Sequence, residues 1–162
     1  MAVRPLLKTL LFTLLVPVSV ALFIPRLLLS PLSSVPAAAH FMTISGACLI
    51  LVGTVFYMKC AWDFAVVGKG TPAPIDAPKT LIARGFYRLT RNPMYVGILM
   101  IVIGESLIFH SGVLLVYAVL LWLAFHLMVL LYEEPHLKKT FGSSYEEYCK
   151  QVPRWFRFPF SS

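Results

Sequence analysis

The polar residues of this chain gather at two places. One is ARGFYRLTRNPMYVG over 83–97, which holds Arg84, Tyr87, Arg88, Arg91 and Tyr95; the other is Tyr132-Glu133-Glu134-Pro135. Guanidinium groups bind carboxylates and phosphates through paired hydrogen bonds, and carboxylates favour a cationic centre. The intervening residues are apolar over 93–109 and 113–132, with His110-Ser111-Gly112 as a turn, so they read as a helical hairpin that returns the chain to the surface it left. Asn92-Pro93 reads as a helix cap followed by proline at the first helical position. The positive dipole end of one helix then lies beside the carbonyl end of the next, and the two favour an anion and a cation respectively. A zwitterion fits between them, with Arg88 and Arg91 adding salt bridges or phosphate contacts. S-adenosylmethionine carries both groups.

What must hold these residues is a membrane domain. Hydrophobic residues make up 59% of the 162, above the roughly 45–50% of soluble domains. Apolar runs at 6–29, 38–62, 93–109 and 113–132 each approach the roughly 20 residues that a helix needs to cross a bilayer. The expected fold is therefore all-α, a single domain over 1–162 with four transmembrane helices. The third is short, which implies little tilt or an Arg91 that snorkels to the headgroups. Arg4 and Lys8 lie at the start of the first span, Lys59, Lys69, Lys79, Arg84, Arg88 and Arg91 bracket the loop between the second and third, and Lys138, Lys139, Lys150, Arg154 and Arg157 follow the fourth; Arg26 alone lies on the other side. By the positive-inside rule both termini, the 63–92 loop and the cofactor site are cytosolic, in a multi-pass protein. The net charge of +7 is then topology and attraction to anionic lipid, and calls for no nucleic acid.

Arg4, Lys8, an apolar stretch and Ala37-Ala38-Ala39 have the order of a secretory leader. The apolar run, however, exceeds the roughly 7–15 residues of such a leader, and Pro17, Pro25 and Arg26 interrupt it, so it reads as the first helix. Cys48, Cys60 and Cys149 form no CxxC pair and His40, His110, His126 and His136 lack ligand spacing, so no metal is expected. Gly68-x-Gly70 is read as a loop turn. After Pro135, residues Leu137, Phe141, Tyr145, Tyr148 and Val152 recur on one helical face, with Gly142 as a break and Ser143 to Glu146 spaced as a capping box. This tail is expected to lie on the cytosolic surface as amphipathic helix.

In this order, Gly85-x-Tyr87-Arg88, Arg91-Asn92-Pro93-Met94-Tyr95, Glu133-Glu134, Leu137, Phe141-Gly142, Tyr145 and Tyr148 resemble the membrane methyltransferases that include isoprenylcysteine carboxyl methyltransferases and phospholipid N-methyltransferases. The resemblance covers the second half of the chain, with a cofactor-binding half over 80–152. It implies S-adenosyl-L-methionine as cofactor, a pocket shaped by Tyr87, Arg88, Arg91, Asn92, Pro93 and Tyr95, and a carboxylate of Glu133 or Glu134 on the cofactor. Adjacent helical positions diverge by about 100°, so the two glutamates take different roles, and Glu134 is read as the closer ligand. Arg91, Tyr95 and Glu134 are the expected catalytic residues. The isoprenylcysteine enzymes usually have histidine where Asn92 stands, which leaves the acceptor open.

Glu105 and His126 lie inside apolar spans, where an ionisable group points to function. Glu105 is about 18 Å from Pro93 by helical rise and reads as a structural hydrogen-bonding group; His126 is a candidate for the acceptor channel. Gly46 and Gly53, a heptad apart, are expected to permit close helix contact. Taken singly, the arginines are membrane anchors, the tyrosines an interfacial belt and the glutamates a solvated helix end. Taken together, and with the family resemblance, they imply methyl transfer from S-adenosylmethionine to a lipid or prenylated amphiphile entering from the bilayer, and the resemblance implies the isoprenylcysteine carboxyl type. The alternatives are phosphatidylethanolamine-type N-methylation, a lipid reductase, and a non-catalytic lipid-binding or scaffold protein.

Overall fold

The computed structural model describes residues 15–29, 40–64, 66 and 81–156, and these are helical with no strand among them. Helix α1 (Ser19–Leu28) is followed by α2 (His40–Asp63), a 3-10 turn at Gly85–Arg88, α3 (Pro93–Ile108) and α4 (Gly112–Met128). A π-helical turn at Val129–Glu133 leads from α4 into α5 (Glu134–Phe141), and α6 (Ser143–Gln151) closes the order. The first nine residues of the expected first span, the Ala37 to Ala39 step, Gly68-x-Gly70 and Arg4, Lys8, Lys69, Lys79 and Arg157 lie outside the described residues. Helix α2 and the continuous helix Gly112–Phe141 are long and apolar enough to cross a membrane, whereas Ser19–Leu28 and Pro93–Ile108 are shorter apolar helices. Phe41, Ile44, Leu51 and Val55 of α2 and Leu115, Val119 and Leu123 of α4 point outward, an apolar exterior suited to lipid rather than water. The intrahelical hydroxyls follow the same logic: Thr54 and Ser106 donate to carbonyls of their own helices, Ile50 and Ile103, at 2.7 and 2.8 Å.

Helices α2 and α3 run antiparallel and form the closest pairing in the molecule, and its cause is glycine. A Cβ built on Gly46 would lie 2.5 Å from the Gly104 carbonyl oxygen, and one on Gly53 would lie 2.6 Å from that of Gly97. Without side chains at these four positions the two backbones touch, and dispersion along the seam replaces the hydrophobic driving force that lipid removes. The close contact expected of Gly46 and Gly53 is present. Their partners are the second heptad-spaced pair, Gly97 and Gly104.

Two π turns precede a proline by the same interval. Ser19–Phe23 leads to Pro25, and Val129–Glu133 to Pro135. Proline has no N–H to donate and its ring crowds the carbonyl four residues back, and widening the preceding turn accommodates both helices without a break. At the second site the wider turn contains Glu133 and leads directly into Glu134.

Three local expectations are corrected at this end of the fold. Gly142, at φ +55°, does break the helix, but no side chain caps α6, because Gly142 itself holds the cap position and Ser143 is the first helical residue, while Glu146 pairs with Lys138 at 2.9 Å. Asn92 holds the cap position of α3 without a side-chain cap bond; its amide instead donates to the Arg154 carbonyl at 2.8 Å. Arg91 does not snorkel outward but turns inward, its side chain only 13% exposed. Leu137 and Phe141 of α5 pack with Tyr145 and Tyr148 of α6, Val152 and Leu81 to form a small core beneath the ends of α3 and α4.

Candidate functional site

The loop that enters α3 is pinned before it reaches the site. Asp63, 1% exposed at the end of α2, accepts from Arg84 at 2.9 Å and from Lys59 at 3.2 Å. Phe86 stacks on Phe56 with centroids 3.9 Å apart, and Gly85 takes φ +57° to make the turn between them. Tyr87 is thereby buried, and its carbonyl accepts from the Tyr148 hydroxyl at 2.7 Å. Burial pushes the phenols of Tyr87, Tyr145 and Tyr148 well above their ordinary pKa. All three are therefore protonated donors at neutral pH.

Across from this loop stands Glu134. Arg154 grips it as a fork, Nε to Oε1 at 2.7 Å and Nη2 to Oε2 at 2.8 Å, while Arg91 Nη1 reaches Oε1 at 3.0 Å. The same Arg91 nitrogen donates to Cys149 Sγ at 2.8 Å. Two guanidinium groups on one carboxylate leave this cluster with a net positive charge. Glu133, one residue earlier, faces elsewhere: it accepts a hydrogen bond from the Tyr95 hydroxyl and makes no ion pair among the described residues. Tyr95 is held for this contact by stacking on Phe125 of α4, with centroids 4.4 Å apart. One positive and one negative group therefore face the same space.

That space is a cavity of about 420 Å³ between α3 and α4, lined also by residues of α1, α2, the 81–87 segment and the tail. Arg91, Asn92, Tyr95, Glu133, Glu134 and Tyr148 line its polar end, and Val20, Ile98, Phe125 and Met128 its apolar end. Such a volume, mostly apolar with a few convergent polar groups, is what a small-molecule site requires. Arg91 and Glu134 also form part of the wall of an open groove on the other side, shared with Lys138, Cys149 and Arg154.

The hairpin thus brings the 83–97 cluster to Glu133 and Glu134, and of the sequence candidates Tyr87, Arg91, Asn92, Tyr95, Glu133 and Glu134 line the cavity. Pro93 is buried at the first position of α3, next to it in the chain. Arg88 is exposed and does not line the cavity. Nor does His126, which accepts from Trp155 Nε1 at 3.0 Å and stacks on Trp122. Glu105 lies on α3 far from the polar end, and its Oε2 has no hydrogen-bond partner among the described residues. Sequence reasoning missed Arg154, which it counted only as a topogenic charge, and the roles of Tyr148 and Trp155. The Val-Pro step that ends α6 was the available signal, because it turns the chain back toward α4.

A model of the phospholipid methyltransferase family matches residues 41–144, more than half of the chain. Among curated proteins, the chain is 34% identical over 74 residues to protein-S-isoprenylcysteine O-methyltransferase B of Arabidopsis thaliana, covering 45% of this chain and 37% of that protein. It is 35% identical over 74 residues to protein-S-isoprenylcysteine O-methyltransferase of Schizosaccharomyces pombe, covering 45% of this chain and 31% of the relative. A probable protein-S-isoprenylcysteine O-methyltransferase of Oryza sativa subsp. indica is 37% identical over 73 residues, 44% of this chain and 38% of the relative. The matched segment thus spans well under half the length of these relatives. No solved structure matches the chain significantly.

Proposed function

The chain belongs to the phospholipid methyltransferase family, and from that membership we propose that it is an integral-membrane methyltransferase that uses S-adenosylmethionine to methylate an amphiphilic acceptor. The observation that carries this reading is the pair of opposite charges at the polar end of one apolar-walled cavity, Arg91 on Glu134, which Arg154 grips from the adjoining groove, on one side and Glu133 with Tyr95 on the other. These residues fit the cofactor's zwitterionic amino-acid moiety. Arg91 and the N-terminal end of α3 suit its carboxylate, and Glu133 suits a cationic centre. The double engagement of Glu134 supports giving that centre to Glu133 and assigning Glu134 to the alignment of the two guanidinium groups.

When bound, the cofactor supplies an electrophilic methyl group. The chain's own part is orientation and exclusion of water. Tyr95 holds the Glu133 carboxylate toward the cavity, Phe125 holds Tyr95, and Ile98, Met128 and Val20 offer an apolar wall to the hydrocarbon part of an acceptor arriving from the bilayer. The four apolar runs support four spans, and the lysine and arginine distribution supports a cytosolic placement of both termini and the cavity's polar end. The C-terminal helices α5 and α6 would lie at that surface. Cysteine labelling at Ser111 from outside intact cells, with protection of a cysteine at Arg88, tests the orientation. The reverse pattern would invert it.

The relatives' names support an isoprenylcysteine carboxylate as acceptor. A second reading, phosphatidylethanolamine-type N-methylation, is favoured by Glu133: an amine must lose a proton on methylation, and a carboxylate with no ion-pair partner among the described residues can take it. Labelled methyl transfer from S-adenosylmethionine into prenylcysteine analogues and membrane lipid extracts decides between them. A base-labile methyl ester supports the first, a base-stable N-methyl lipid supports the second, and label in neither contradicts both.

A further inference from the structure

After α6 the chain runs beside the start of α3 and the end of α4, and three successive residues each bind groups there. The Pro153 carbonyl accepts from the Arg91 backbone N–H at 2.9 Å. The Arg154 carbonyl accepts from Thr90 Oγ1 at 2.9 Å and Asn92 Nδ2 at 2.8 Å, so it holds the residue that opens α3. The Arg154 guanidinium takes both oxygens of Glu134, and Trp155 Nε1 donates to His126 of α4. A simple tether would need one such contact. This strap joins both walls of the cavity, and one residue, Arg154, touches both through different groups.

The consequence falls on Arg91. A carboxylate facing a single arginine draws it into a two-bond fork. With Arg154 already forked onto Glu134, Arg91 keeps one contact to that carboxylate, through Nη1 at 3.0 Å, and its buried Nε has no hydrogen-bond partner among the described residues. Donors of Arg91 thus remain for an anion in the cavity. We propose that Arg154 is a positioning residue: by occupying Glu134 it keeps Arg91 directed at the anionic group of the cofactor, while its carbonyl fixes the start of α3. This inference rests on the cofactor reading given above.

Calorimetric titration of S-adenosylhomocysteine into the full chain in detergent, with thermal unfolding of each variant measured alongside, tests it. Arg154→Gln should fold, since the strap's main-chain bonds remain, yet bind at least about tenfold more weakly. Arg154→Lys should also lose affinity, because an ammonium group cannot make the fork. In a Glu134→Gln background, Arg154→Gln should cause less than about a twofold further change, since interacting residues are non-additive. A merely structural arginine would lower the thermal midpoint and leave the affinity of the folded fraction unchanged. Wild-type affinity in Arg154→Gln, or fully multiplicative effects of the two substitutions, would overturn the inference while sparing the cofactor reading. If Arg154→Gln does not fold, Arg154→Lys in the same cycle decides. Absence of binding by the wild-type chain would overturn the cofactor reading, and the inference with it.

Discussion

Helix α3 meets two of its neighbours by opposite means. Against α2 it presents Gly97 and Gly104, and the backbones close to contact distance. Against the end of α4 it presents Arg91 and Tyr95 from its first turn and entry loop, and these reach across a cavity to Glu134 and Glu133. One interface is made by removing side chains and the other by extending charged ones. The seam therefore carries the fold, and the cavity, which costs packing, is where we propose the chemistry takes place. Substitutions on the two faces should separate stability from binding.

The largest effect is expected at the seam. In Gly53→Leu the new Cβ alone would meet the Gly97 carbonyl oxygen at 2.6 Å, and backbone cannot swing aside as a side chain can. Destabilisation should reach at least the roughly 3 kcal/mol at the upper end of ordinary overpacking, read as a collapse of the thermal midpoint and loss of monodisperse protein in detergent. An unchanged midpoint would mean that the helices are not in contact there. Next comes Glu134→Gln, which should fold but weaken S-adenosylhomocysteine binding by roughly 1.5 to 3 kcal/mol, the range for hydrogen bonds to charged groups. Glu133→Gln measured beside it sharpens the comparison, since a larger loss there places the cationic centre on Glu133 directly.

Arg91→Lys should preserve insertion and stability but slow methyl transfer at least about tenfold, or roughly 1.4 kcal/mol of transition-state stabilisation. Lysine keeps the charge and the stem but not the planar donor set. Full activity would return Arg91 to the role of an anchor. Tyr95→Phe should be milder, about 1 kcal/mol, because the ring still stacks on Phe125 and one hydrogen bond is lost. Smallest of all is Lys138→Ala: its pair with Glu146 is solvent-exposed on both sides, and exposed pairs contribute little. No resolvable change in midpoint or binding is expected.

The hairpin and its charged ends were legible in the sequence because apolar period, Asn-Pro and Glu-Glu-Pro mark helix starts and stops locally. Gly46 and Gly53 were legible as a seam, since a heptad spacing of small residues has one common packing use. Three features resisted. Capping at Ser143 failed because the helix starts one residue early, with Gly142 at the cap, and at Asn92 because the side chain had a competing partner brought close by tertiary structure, the Arg154 carbonyl. The divergence of Glu133 and Glu134 was expected from helical geometry, but the partners of each depend on a π turn placed by Pro135. Arg154 was invisible because a basic residue after the last span looks like a topogenic charge, and only the folded strap shows that it reaches Glu134.

The most direct measurement is titration of S-adenosylhomocysteine into the detergent-solubilised wild-type chain, repeated with Glu134→Gln and Lys138→Ala. The account predicts saturable one-to-one binding that Lys138→Ala leaves intact and Glu134→Gln weakens, with both variants folded. Absence of binding by the wild-type chain, or equal affinity in Glu134→Gln, would contradict the placement of the cofactor in the cavity between α3 and α4.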